Sequence, residues 1–154
     1  MLEKILYSLL VVGMLCLMGS TVTWAEELEC GTWTIVSLKA IDPQTPMPRG
    51  LGRILGQNID VYPHEIRFGG RRCRINDVHS QVLGADAVAQ RLGCSISGLG
   101  LIQDDTVTVI ETGCSLLGLS TIYAFPDSRR AFVVEGHVAI MFPAIDSSSM
   151  KGTP

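Results

Sequence analysis

The sequence predicts a mainly β domain: a small antiparallel barrel of about eight short strands with one short α-helix. Three observations carry that expectation. Short runs rich in Val, Ile, Thr and aromatic residues recur along the chain, separated by Gly, Pro and Asp clusters. One separator, Gly69-Gly70, is flanked on both sides by alternating apolar and charged residues, the mark of a tight hairpin. A single stretch, centred on ADAVAQRL, spaces its apolar residues for a helix. Short connections make antiparallel neighbours, and closing them into a barrel removes exposed edges; a sandwich is the alternative.

Residues 31–38 (GTWTIVSL) form the first expected strand, and residues 42–48 (DPQTPMP) hold three prolines that exclude a helix or a central strand. Leu51, Ile54 and Leu55 fit one helical turn broken by Gly56, and residues 58–62 read as a short strand ended by Pro63. Across the Gly69-Gly70 turn, pairing sets Phe68 against Arg71, Ile66 against Cys73 and Glu65 against Arg74. One face of that hairpin then carries Ile66, Phe68, Cys73 and Ile75, and the other Glu65, Arg67, Arg72 and Arg74; only Arg71, beside the turn, breaks the segregation. A slip of one residue would scramble both faces, which pins the register.

The helix is expected over residues 80–92, stopped by Gly93, with Val88, Leu92 and Ala85 on one face. Gly98 and Gly100 mark a loop. Strands are expected over 106–112 and 119–125, the latter ending at Pro126-Asp127-Ser128, and over 131–134 and 137–142, joined through Glu135-Gly136. Residues 146–154 are a Ser-rich tail.

The N-terminus has the three parts of a secretory signal. Lys4 supplies the basic start, residues 5–18 carry no charge, and Ala25 provides the small residue before a cut, so residues 1–25 are expected to leave and Glu26 to begin the mature domain, 26–145. The apolar run reaches the roughly 20 residues of a membrane anchor only if its polar end is counted, and Leu15 before Cys16 does not suit a lipoprotein. A periplasmic or secreted protein with no stable membrane span after cleavage is the result.

Glu3 and Lys4 leave together, so the net charge remains −3, an acidity that argues against nucleic acid as a partner. Four cysteines stay behind: Cys30, Cys73, Cys94 and Cys114. An even number in a small exported domain reads as two disulfides. Three pairings are open; Cys73–Cys114 with Cys30–Cys94 is the preferred one.

Motifs that carry chemistry are sparse. His64, His79 and His137 form no close pair and read as surface or turn residues, so no metal site is expected. Gly113-Cys114-Ser115 lacks the second glycine of a nucleophile elbow. Asp104-Asp105, entering a strand, point to opposite sides. Gly50-Leu51-Gly52 lacks the Lys-Ser/Thr of a phosphate loop. No catalytic residue and no cofactor is assigned. What stands out is Arg67, Arg72 and Arg74 on the polar face of the glycine hairpin, a group suited to a carboxylate, a phosphate or an acidic protein surface.

Gly31-Thr32-Trp33 at the head of the first strand resembles the GxW that opens lipocalin barrels. That resemblance implies a Trp33 that closes one barrel end and stacks on an arginine of a late strand, Arg129 or Arg130. The order Trp33, Ile54-Leu55-Gly56 with Ile59, Ile66, Phe68-Gly69-Gly70 and Cys73, then Leu99-Gly100 and Val107, Val109 and Cys114, is similar to small lipocalin-like (calycin-type) periplasmic proteins of Gram-negative bacteria. Ser95-Ile96-Ser97-Gly98 also resembles the first half of the S-x-S-G-x-R-Y loop of C-type periplasmic lysozyme inhibitors, whose Arg-Tyr is replaced here by Gly100-Leu101.

The expectation is an exported, non-enzymatic binding protein of the bacterial envelope. In the first form it is a lipocalin-like barrel holding a small apolar ligand; an aromatic content of 6% leaves room for an interior cavity. Trp33 and the three arginines are its candidate binding residues. The alternative is a protein-binding inhibitor or immunity-type protein directed at a hydrolase such as lysozyme, with an envelope protein as its partner.

Overall fold

The computed structural model describes residues 28–144. The expected signal 1–25 and tail 146–154 lie outside the described residues. Nine strands, all paired antiparallel, form one sheet: β1 (Gly31–Ala40), β2 (Asn58–Tyr62), β3 (Glu65–Phe68), β4 (Arg71–Arg74), β5 (His79–Gly84), β6 (Thr106–Glu111), β7 (Thr121–Ala124), β8 (Arg130–Val134) and β9 (His137–Pro143). Among the described residues, one α-helix, α1 (Ala85–Leu92), and 3-10 turns at Leu51–Ile54, Ser97–Leu99 and Leu116–Gly118 accompany the sheet. The order β4-β3-β2-β1-β9-β8-β7-β6-β5 is two meanders joined where β1 pairs with β9, and the sheet curls into a half-barrel.

The glycine hairpin has the expected register, with Glu65 opposite Arg74, Ile66 opposite Cys73, Arg67 opposite Arg72 and Phe68 opposite Arg71. Gly69 and Gly70 take φ of +56° and +76°, the conformation a two-residue turn needs between right-twisted strands. The helix is shorter than the spacing predicts: it spans only 85–92 of the expected 80–92. Residues 80–84 are extended in β5, pairing Ser80 with Ile110 and Leu83 with Val107. Backbone pairing with β6 overrides the helical propensity of Gln81 and Leu83. The helix starts at Ala85 and stops at Gly93, whose φ is +64°.

Nine strands in an alternating order leave the two ends, β4 and β5, running the same way. Only residues 75–78 join them, far too short for the dozen-residue crossover that places parallel strands side by side. The stretch from β4 through β5 is therefore one bent, extended run that takes β3 as its partner first and β6 afterwards. This explains nine strands where about eight are expected, and it leaves a seam in place of a hydrogen-bonded closure.

Cys73 of β4 is bonded to Cys114 beyond β6, with Cα atoms 5.7 Å apart, so a covalent bridge crosses that seam. The second expected disulfide is absent: Cys30 and Cys94 are free. Cys30 precedes β1, whereas Cys94 follows Gly93, where an added Cβ would lie 3.1 Å from Ile41, just past the other end of β1. Ten strand residues, about 30 Å of chain, separate two groups whose Cα atoms would have to approach within about 7 Å.

The concave face is packed solid. Ile35, Ile59, Ile66, Ile122, Phe132 and Met141 are each no more than 2% exposed and belong to one cluster. The interior space expected from the low aromatic content is filled by Ile, Phe and Met. A second cluster covers the convex side of the later strands, where Val88 and Leu92 of α1, with Leu99 and Leu101, meet Val107, Val109, Tyr123 and Val138.

Candidate functional site

The expected binding residues separate into two roles. Trp33 is 3% exposed inside the interior cluster, with the Arg130 guanidinium 4.9 Å over its ring. Arg130 also pairs with Glu29 at 3.0 Å. Burial lowers the Arg130 pKa and Glu29 partly restores it. Arg130, rather than Arg129, thus stacks on Trp33.

Arg67, Arg72 and Arg74 are exposed on the outward face, as the alternation requires. Glu65 binds Arg67, two residues away on its own strand, and leaves its cross-strand neighbour Arg74. The Arg67 guanidinium also lies 4.8 Å from the centre of the Tyr62 ring. These contacts relieve the Arg67–Arg72 opposition, and Asp60, across from Arg67 on β2, adds a second acid to the face. Among the described residues, Arg72 and Arg74 make no ion pair.

Where the seam opens, a cleft of about 600 Å³ is lined by Leu28, Pro63, Ile75 and Val78 with Cys30, His64, Asp77 and His79. No hydrogen bond joins these polar side chains to one another; the Cys30 thiol instead faces the Leu28 carbonyl at 3.7 Å. His137 departs from the surface or turn position expected of it: it is 1% exposed, and its Nδ1 lies 2.9 Å from the Glu135 carbonyl. As the first residue of β9 it is paired on both sides, with Ala40 and with Val134, which takes it out of solvent.

A third feature was missed by sequence reasoning. On the convex face a groove of about 390 Å³ runs between β1, β9 and the loop 97–100. Its floor comes from Val138, Ile140 and Phe142 of β9 and from Val36 of β1. Val36 is the extra residue of a β-bulge, because the β1–β9 register shifts between Ile35 and Ser37. Such bulges bend a strand and re-aim its side chains. Val36 and Phe142, 49% and 42% exposed, are two large apolar side chains left open to solvent in this one groove.

Two cations close the groove at the loop. Lys39 donates to the Gly98 carbonyl. Arg129 donates to the carbonyls of Leu99 at 2.9 Å and Gly100 at 3.1 Å, and its Nε to Asp127 at 2.6 Å. Gly100, at φ +70°, permits that approach: a Cβ there would sit 3.0 Å from an Arg129 nitrogen. The loop resembling the lysozyme-inhibitor motif lacks an arginine of its own, and Arg129 reaches it from the start of β8. The signal for this groove lies in GTWTIVSL, whose inward apolar residues change from odd positions (Trp33, Ile35) to an even one (Leu38) and leave Val36 outside, as a bulge requires.

These observations define a mainly β, disulfide-containing half-barrel with a filled interior and three surface features. Comparison with protein-family models, curated proteins and solved structures finds no match.

Proposed function

We propose that the protein is exported and serves outside the cytoplasm as a non-catalytic binding protein, with its small-ligand site in the convex groove. The observation that carries this reading is the pairing of an apolar floor, Val36, Ile140 and Phe142, with two cations that converge on one loop. Sites for small molecules are mostly apolar, occupy about 300–1,000 Å³ and hold a few placed polar groups. With the concave face filled, this reading assigns the ligand to the outside of the sheet. The Cys73–Cys114 bridge suits an oxidising compartment.

Native mass spectrometry of protein purified from the periplasm tests the reading. A chain starting at Glu26 with one disulfide is expected, carrying a small-molecule mass that Val36→Asp removes. Retention of residues 1–25 would overturn export, and a bound mass unaffected by Val36→Asp would move the site elsewhere.

A second reading, a module that binds an acidic protein surface, is favoured by Arg72 and Arg74, exposed and without ion pairs among the described residues. Arg72→Glu with Arg74→Glu would then abolish binding to such a partner, measured by co-sedimentation, and leave small-ligand binding intact.

A further inference from the structure

Of the two cations at the groove, Arg129 has committed its three nitrogens to Asp127, Leu99 and Gly100. It is a positioning residue that holds the loop. Lys39 is different: it is exposed, spends one N–H on the Gly98 carbonyl and makes no ion pair among the described residues. An ammonium has three donors, so two remain for a ligand. Asp127, the carboxylate nearest in the network, is held by Arg129. The groove therefore has one uncompensated positive charge.

The apolar floor has a direction. Lys39 is level with Val138, and Thr34 with Phe142. From Val138 through Ile140 to Phe142 the outward side chains of β9 extend the floor about 13 Å away from the cation. A cation at one end of a one-sided apolar stripe is complementary to a molecule that is anionic at one end and apolar along its length.

Resting on the groove being the ligand site, we propose that it takes a free, single-chain amphiphile with a carboxylate head. Lys39 receives the carboxylate, and the chain lies over Val138, Ile140, Phe142 and the bulged Val36. The floor is a single row of β9 side chains with the bulged Val36 beside it, which suits one chain, and Lys39 acts as a point charge, which suits a carboxylate without demanding bidentate geometry.

The test is isothermal titration calorimetry of the full chain, below micelle-forming concentrations, with decanoate, hexanoate, decanol and decyltrimethylammonium. Decanoate is expected to bind best. Each methylene removed weakens binding about two-fold, half the gradient of full burial, because one side of the groove is open. Lys39→Met weakens decanoate about five-fold more than it weakens decanol, the upper range for an exposed ion pair, and Lys39→Arg rescues decanoate. Val36→Asp abolishes both.

Equal binding of decanoate and decanol, insensitive to Lys39→Met but abolished by Val36→Asp, would overturn the carboxylate assignment and keep the groove. Binding insensitive to Val36→Asp, or no binding of any of the four, would overturn the groove itself. Sedimentation with phosphatidylglycerol vesicles in the absence of decanoate binding would replace the free amphiphile with a membrane surface.

Discussion

The two meanders of this sheet obey different rules. In the first, β1 to β4, one face is buried and the other is wet: Ile59, Val61 and Ile66 point inward, while Asp60, Arg67 and Arg72 form a row on the outside. In the second, both faces of β6 to β8 are covered, and only β9 keeps an open outer edge at the groove. Ile122 and Phe132 enter the shared interior, whereas Tyr123 and Ala131 pack under α1 and the loops around Leu99 and Leu101. A strand buried on one side alternates, and a strand buried on both reads as a continuous apolar run. The bent passage from β4 to β5 belongs to both halves, and the disulfide secures it.

If the interior cluster is what unites the halves, its loss is the largest effect. Phe132→Ala should cost about 3–5 kcal/mol and lower the stability of both meanders together, as read by hydrogen exchange during denaturant unfolding. Protection lost from β6–β9 alone would break the comparison into two separately stable units. Next comes the staple. Replacing Cys73 and Cys114 by serine should cost about 2–4 kcal/mol, given the 41-residue separation of the bridge. Exchange should accelerate first in β4 and β5; unchanged protection there would deny the seam its role.

A smaller effect distinguishes the doubly covered half. Burial pushes the Tyr123 phenol up, partly offset by Arg91 and reinforced by Glu111; burial likewise pushes the Cys94 thiol up, partly offset by Lys39. The folded state then keeps protons that the unfolded chain would release. Their contribution to stability is complete below the ordinary thiol and phenol ranges and declines as pH rises through and above them, toward and past about 10. The melting temperature should fall across that window, less steeply in Tyr123→Phe; equal slopes would remove Tyr123 from the explanation.

The smallest change belongs to the wet face. Arg72→Thr removes a like charge opposite Arg67 and should stabilise by at most about 0.5 kcal/mol, since Glu65 and Tyr62 already relieve Arg67. Thermal denaturation at low and high salt measures it. A loss of more than that amount would mean Arg72 has a structural contact the row of charges does not account for.

The same contrast decides what could be read in advance. The hairpin register was legible to the residue, because Ile66 and Cys73 must face in while Arg67 and Arg72 face out. The sequence expectation of β5 as helix failed for the complementary reason: SQVLG runs without a clear period into ADAVAQRL, and its strand form depends on β6, more than twenty residues later. Of the candidate site, the arginines were visible as an alternating face. Of the groove only the phase change in β1 was visible, for Lys39, Ile140 and Arg129 share no local pattern and meet only across paired strands and a loop.

Composition and local periodicity sufficed for a mainly antiparallel β domain, its glycine hairpin and the stop at Gly93. These follow from short-range physics: alternation, turn conformation and cap geometry. Whether Cys30 could reach Cys94, where the bent run changes partner, which arginine covers Trp33 and which cation is left unpaired at the convex groove were decided by the tertiary structure alone. Each is a distance between residues far apart in the chain, set by the curl of the sheet and the bulge at Val36 rather than by any segment's own preference.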